Sequence, residues 1–326
     1  ATPARVVASP APRTSRARKA KAALGFAPLA FLFLLAAGWN AADRFVPETT
    51  DPEYHVRLRT LRTAIGEHPH NPLGLVIGSS RMVWGFRPEI LPAPAPGDIH
   101  WLNGSQVGGG PILNRLMLHR LLRDGIRPDV VVLEVMPVFF ARENTRFVVG
   151  HFTAPELRMM RGYGKFTGHY EANFLRHRFV RVADIGRAFD PFQGTTELLP
   201  RGGHPKAEES VTDEERARRT AITRNVYKDD TVRMNMRPGT DRAFRDTLDE
   251  AAAHGVRVVL LRTPEGPIFR SWYDPAGEAR FDAYLADVSR EYGLPVIDAR
   301  DWLEENDFYD THHALRHGAD KFTLRF

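Results

Sequence analysis

Five short apolar runs constrain this chain most: Leu73–Ile77, Ile99–Leu102, Val130–Val135, Val256–Leu261 and Pro295–Ile297. Several are apolar throughout, the pattern of strands buried on both faces; a sheet with one wet face would alternate. Between them lie stretches with helical periodicity, over Ile112–Asp124, Asp241–His254 and Gly277–Tyr292. Gly255 and Gly293 each close such a stretch just before a strand, where a C-cap glycine belongs. This strand–helix–strand repetition predicts an α/β fold built on a doubly wound parallel sheet.

A second feature precedes the first strand. Residues 22–39 carry no charge and are almost wholly apolar. A bilayer-spanning helix needs roughly 20 such residues. Trp39 fits an interfacial position, and the cations before residue 22 place the N-terminus in the cytoplasm. The competing reading is a cleaved signal peptide. The long basic region and the lack of a clean small-x-small cleavage site argue against it. The expected organisation is a cytoplasmic basic tail (1–21), one transmembrane helix (22–40), a linker (41–70) with a short helix near Val56–Ile65, and an extracytoplasmic domain (71–326). A bacterial inner membrane with a periplasmic domain fits this arrangement.

The net charge of +5 belongs to the tail, because Arg5, Arg13, Arg16, Arg18, Lys19 and Lys21 account for more than all of it. The rest of the chain is nearly neutral, which argues against a nucleic-acid partner. Cysteine is absent, which removes disulfides and thiolate metal sites. Residues 141–240 break the strand–helix rhythm and read as an insertion, either decoration or a lid or partner surface. Within it, Glu208–Arg219 reads as an exposed helix of mixed charge. The small residues Ala22, Ala23, Gly25, Ala27, Ala30, Ala36, Ala37 and Gly38 permit close helix contact in the membrane. Residues 1–40 are therefore expected to meet integral-membrane subunits as well as lipid.

Two distant segments carry the chemistry. Leu75-Val76-Ile77-Gly78-Ser79-Ser80-Arg81 reads as a strand ending in a glycine turn that presents a serine. Asp310-Thr311-His312-His313 supplies an aspartate and a histidine three residues apart. A serine hydroxyl is a weak nucleophile near neutral pH and needs an adjacent base, which a carboxylate can orient. Ser80, His313 and Asp310 are the candidates for those three roles.

These blocks resemble the SGNH, or GDSL-like, hydrolase superfamily, and most of all its membrane-anchored branch of DltD-like and alginate O-acetylation proteins. Ile77-Gly78-Ser79-Ser80 is similar to the first block, Asn103-Gly104-Ser105-Gln106-Val107-Gly108-Gly109 to the second, and Asp310-Thr311-His312-His313 to the last. The resemblance extends through Gly318-Ala319-Asp320-Lys321-Phe322-Thr323 and covers about residues 72–140 and 255–326. It implies an SGNH-like, flavodoxin-like fold, with Ser80 as nucleophile, His313 as base and Asp310 as orienter. It also implies an oxyanion site formed by the backbone of Ser80 and of Gly108, with Gly104 as an alternative to Gly108. The resemblance further implies acyl transfer to a cell-envelope polysaccharide or to water, beside an integral-membrane acyltransferase. Two positions depart from the family pattern. Ser79 stands where an aspartate is usual, and Leu133-Glu134-Val135-Met136-Pro137 lacks the asparagine of the third block. One lost oxyanion donor costs on the order of 100-fold in rate.

Other residues admit plainer readings. His312, His313 and His317 with Asp310 could ligate a metal, but the Asp-x-x-His pattern already uses two of them, so no metal is expected. Gly108-Gly109-Gly110 lacks the Lys-Ser/Thr of a phosphate loop and reads as a turn before Pro111. Arg81 and Trp84 could meet a substrate or could be ordinary first-turn helix residues. His254 fits a helix end, and Phe139–Phe140 fit the core. No cofactor motif is present. Two functions remain open: an SGNH-type O-acyltransferase or esterase, and a non-catalytic scaffold subunit of a large respiratory or photosynthetic membrane complex.

Overall fold

The computed structural model describes residues 13–143, 148–164, 171–176, 178, 195–205 and 208–326, without the side chains of residues 13–18 and 233. Residues 1–12 of the expected tail and parts of the expected insertion lie outside the described residues. The chain divides into two compact units, Ala1–Pro47 and Glu48–Phe326.

The described part of the first unit is dominated by one helix, α1 (Arg13–Phe45). Its stretch Lys19–Phe45 is long and apolar enough to cross a membrane; an 18-residue window within it has a mean hydropathy of 1.9 and is wholly unburied. Leu24, Phe26, Leu29, Phe31, Phe33 and Leu34 are all exposed. The helix is therefore apolar around its circumference, as a span is and an amphipathic surface helix is not. It runs beyond the predicted 22–40 because Ala, Arg and Lys before the apolar segment are good helix formers.

The second unit is built on five parallel strands: β1 (Leu73–Ile77), β2 (His100–Asn103), β3 (Val130–Glu134), β4 (Arg257–Arg262) and β5 (Val296–Asp298). Their order is β2-β1-β3-β4-β5. Leu75 pairs with Leu102 on one side and with Val131 on the other. The chain reverses its direction of travel across the sheet between β1 and β3, and α/β sheets place sites at the C-terminal ends of the strands there.

Alternate strand residues serve opposite faces. Leu75, Ile77, Val131, Leu133, Val258 and Leu260 share a core with α2 (Pro52–Glu67), α4 (Pro111–Arg123), α8 (Pro238–Ala253) and α10 (Pro275–Tyr292). Val76, Val132 and Leu261 face the other way, toward Met82 of α3 (Ser80–Gly85) and Ala319 and Phe322 of α11 (Arg316–Arg325). Cover on both faces is what makes the runs apolar at every position. The described residues also include the short helices α5 (Pro137–Ala141), α6 (Ala154–Met160) and α9 (Pro267–Arg270).

Strand positions agree with the sequence reading to within one residue at each end. The expected linker differs more. Its helix is α2, which buries Tyr54, Leu58 and Leu61 and so belongs to the domain core. Asp51 caps that helix, its Oδ1 accepting from Tyr54 N at 3.2 Å. The helix expected over Glu208–Arg219 runs instead over Asp213–Arg233, as α7. Thr212 sets its start, its Oγ1 accepting from Glu215 N at 3.2 Å.

Candidate active site

The end of β1 turns sharply through Gly78 into α3. A Cβ on Gly78 would lie 2.6 Å from Glu134 Oε2 and 2.7 Å from Met82 Cγ, so only glycine fits. Ser79 is the N-cap of α3, its Oγ accepting from Arg81 N at 3.2 Å. That side chain is fully buried, whereas Ser80, the first residue of the helix, is half-buried.

Ser80 Oγ lies 2.8 Å from His313 Nε2. His313 Nδ1 lies 2.7 Å from Asp310 Oδ2. Asp310 Oδ1 also accepts from the backbone N–H of His312 at 3.1 Å and of His313 at 2.6 Å. Burial pushes the Asp310 carboxyl upward, but His313 and, to a smaller extent, His312 outweigh burial and hold it well below the usual carboxylate range. An ionised carboxylate only accepts, so Nδ1 of His313 carries the proton and Nε2 is left to accept from Ser80. This is the tautomer a general base requires.

Further groups frame the pair. Trp84 meets the His313 ring edge-on at 4.9 Å, and Tyr309 stacks on it at 5.5 Å. Thr223 Oγ1 donates to Asp310 Oδ2 at 3.4 Å, and Tyr227 packs on His312 at 5.1 Å. Both come from α7, so the insertion forms part of the site wall. Trp84 also touches His204, at 5.9 Å. Arg81, by contrast, is buried, and its guanidinium donates to Glu265 Oε1 at 3.2 Å.

The glycine loop packs against the serine turn. Gln106 N donates to Gly78 O at 3.0 Å, and a Cβ on Gly109 would lie 2.4 Å from that same oxygen. Gly108, at the corner of this loop, has φ +76°, a conformation that favours glycine. Gly104 N donates to Val76 O at 2.8 Å, so its N–H is already used and it makes a poor oxyanion donor. At the end of β3, Glu134 accepts from Ser79 N at 2.5 Å and from Thr263 Oγ1 at 3.1 Å. It stands at the strand end where the family's third block places an asparagine. Gly110 precedes Pro111 at the start of α4, as the turn reading expected.

Asp310, His312 and His313 offer three ligand atoms within 4.8 Å of one another. Both ring nitrogens of His313 are engaged by Ser80 and Asp310, and a metal there would displace that chain. His312 is stacked on Phe269 at 5.4 Å, and burial holds its ring well below the usual histidine range. His317 stands apart and pairs with Asp307 Oδ1 at 3.2 Å. His254 closes α8, its Nδ1 2.9 Å from Glu250 O. Phe139 and Phe140 lie in the core. The sequence reading missed Thr223, Tyr309 and the bonding of Glu134. A lone acid ending an apolar strand was the visible signal for the last.

A family described as a protein of unknown function (DUF1574) matches residues 34–155. That stretch holds part of α1, the serine turn and the glycine loop, but not the histidine block. A second family, with no description, matches residues 234–326, which include Asp310 and His313. No curated protein matches the chain.

Proposed function

We propose that this protein is a membrane-anchored, SGNH-like acyl-transfer enzyme, an O-acyltransferase or esterase acting on a cell-envelope polysaccharide. The observation that supports this reading is the unbroken chain Ser80 Oγ–His313 Nε2–Asp310 Oδ2, at 2.8 and 2.7 Å. In this reading Ser80 attacks the acyl carbonyl while His313 takes its proton. The oxyanion that forms is met by the backbone N–H groups of Ser80 and Gly108. His313 then returns the proton to the leaving group, and an acceptor hydroxyl or water, deprotonated in turn by His313, releases the acyl group from Ser80. The anchor holds the domain on the periplasmic side of an inner membrane, with the cationic N-terminus in the cytoplasm and α1 against integral-membrane subunits.

The test is covalent. Full-length protein in mild detergent is treated with a fluorophosphonate and, separately, with p-nitrophenyl acetate, and the adduct is located by peptide mass. A single adduct on Ser80, absent in Ser80→Ala and His313→Gln, is expected. An unmodified Ser80 at millimolar reagent would sink the proposal.

Glu134 in place of an asparagine favours a second reading, a non-catalytic scaffold subunit of a larger membrane complex that keeps the fold. It predicts an inert Ser80 and stable copurification with membrane subunits that is lost when residues 1–20 are deleted.

A further inference from the structure

The serine turn and the histidine turn come from opposite ends of the domain sequence, yet both are fastened to one loop, Thr263–Gly266, at the C-terminal end of β4. On the serine side, Ser79 N–H donates to Glu134 Oε2 at 2.5 Å, and Glu134 Oε1 accepts from Thr263 Oγ1 at 3.1 Å. Arg81 follows the serine directly and reaches the same loop. Its guanidinium donates to Thr263 O at 3.1 Å, to Pro264 O, and to Glu265 Oε1 at 3.2 Å. Glu265 Oε1 is held in turn by Tyr273 OH at 2.9 Å. Arg81, Glu134 and Glu265 are 4%, 5% and 1% exposed, so none of them can swing as a surface side chain does.

On the histidine side, Gly266 N–H donates to Thr311 O at 2.9 Å. A Cβ on Gly266 would lie 2.6 Å from Thr311 O, so the two backbones meet closely. Thr311 has φ +65°, a strained conformation for a β-branched residue. Its hydroxyl accepts from Phe269 N at 3.0 Å and donates to Glu305 Oε2 at 3.0 Å, and these bonds hold the strain in place. The strained turn lets Asp310 accept both following backbone N–H groups and the His313 ring together.

We propose that Arg81, Glu134 and Glu265, with Thr311, are positioning residues that set the Ser80–His313 distance through the Thr263–Gly266 loop. This rests on Ser80 being the nucleophile. Two turns carried by separate segments have no direct covalent reason to stay in register, and a 1 Å error in a reacting geometry costs about 100-fold in rate. A buried network shared by both turns supplies that register. A network that merely stabilises the fold would act on how many molecules are folded, not on how fast each folded molecule reacts.

The experiment separates those two quantities. Full-length Glu134→Gln and Arg81→Lys proteins are labelled with a fluorophosphonate, and the final labelled fraction and the rate constant are measured separately. Both variants should label to the wild-type fraction, with rate constants lowered by about 100-fold. Thr311→Ala is the companion should a network variant not fold, and it should be slowed in the same way. A reduced fraction with an unchanged rate constant would mean a purely structural network and overturn the inference. Full labelling at the wild-type rate would overturn it too, while leaving Ser80 as the nucleophile. Failure of the wild-type protein to label would remove both the nucleophile reading and this one.

Discussion

Replacing Asp310 by asparagine should disable the chemistry while leaving most of the fold energy intact. The carboxylate accepts from His312 N at 3.1 Å, His313 N at 2.6 Å, His313 Nδ1 at 2.7 Å and Thr223 Oγ1 at 3.4 Å. An asparagine oxygen can keep the two backbone bonds. Its amide nitrogen then faces His313 Nδ1, donor against donor. The imidazole answers by moving its proton to Nε2, which aims an N–H at Ser80 and leaves the serine without a base. In a Ser-His-Asp site of this build the equivalent change lowers kcat by about 10⁴, or about 5.4 kcal/mol of barrier. The stability loss should be only about 1–2 kcal/mol, for one charge-assisted bond. Asp310→Ala leaves three N–H donors unpaired and should cost about 3 kcal/mol, at about 1 kcal/mol each. Fluorophosphonate labelling rates and urea unfolding of both variants measure the two effects. An asparagine variant that labels within tenfold of wild type would refute the tautomer argument. So would one as unstable as the alanine variant.

Three further outcomes are expected. Burial pushes the Glu156 carboxyl up, but Arg120, bonded to it at 2.7 and 2.6 Å, outweighs that and brings it down to about 2 from 4.5. A lowered folded-state value means the stabilisation, about 3 kcal/mol, is complete above the unfolded value and lost as pH falls toward about 2. Urea unfolding should therefore show wild-type stability falling across that window and a flatter profile for Glu156→Gln; parallel profiles would contradict it. Gly78→Ala forces a Cβ to within 2.6 Å of Glu134 Oε2, so it should lower stability by about 2 kcal/mol or more and abolish labelling, as judged by thermal unfolding and active-site titration. Protease outside intact spheroplasts should digest the domain and spare the tail; a fully protected domain would refute the proposed topology.

Much of the architecture was legible because it depends on composition over short windows. Apolar runs such as Val130–Glu134 and glycine stops such as Gly293 mark their elements locally, and all five strands are found where those signals stand. The bounds of α2 and α7 were harder. Asp51 and Thr212, each acting through one side-chain oxygen, decide where those helices begin, and several nearby polar residues offered the same chemistry. The role of α2 in the core was hidden as well, since its Tyr54 becomes a core residue only against the sheet it packs on.

Legible in the linear chain are a helix long and apolar enough to cross a membrane, an α/β domain after it, a serine at the end of a strand and an Asp-x-x-His block near residue 310. Those properties follow from hydropathy, periodicity and residue type, which a linear chain carries. Three contacts follow from packing alone: Ser80 and His313 meet at 2.8 Å, Thr223 of the insertion bonds Asp310, and Glu134 accepts from the serine turn at Ser79 N. The reason is separation along the chain. Ser80 and His313 are 233 residues apart, and the contact between them depends on the order in which the sheet stacks its strands. No local pattern encodes that order; the packing of two sheet faces against unequal sets of helices does.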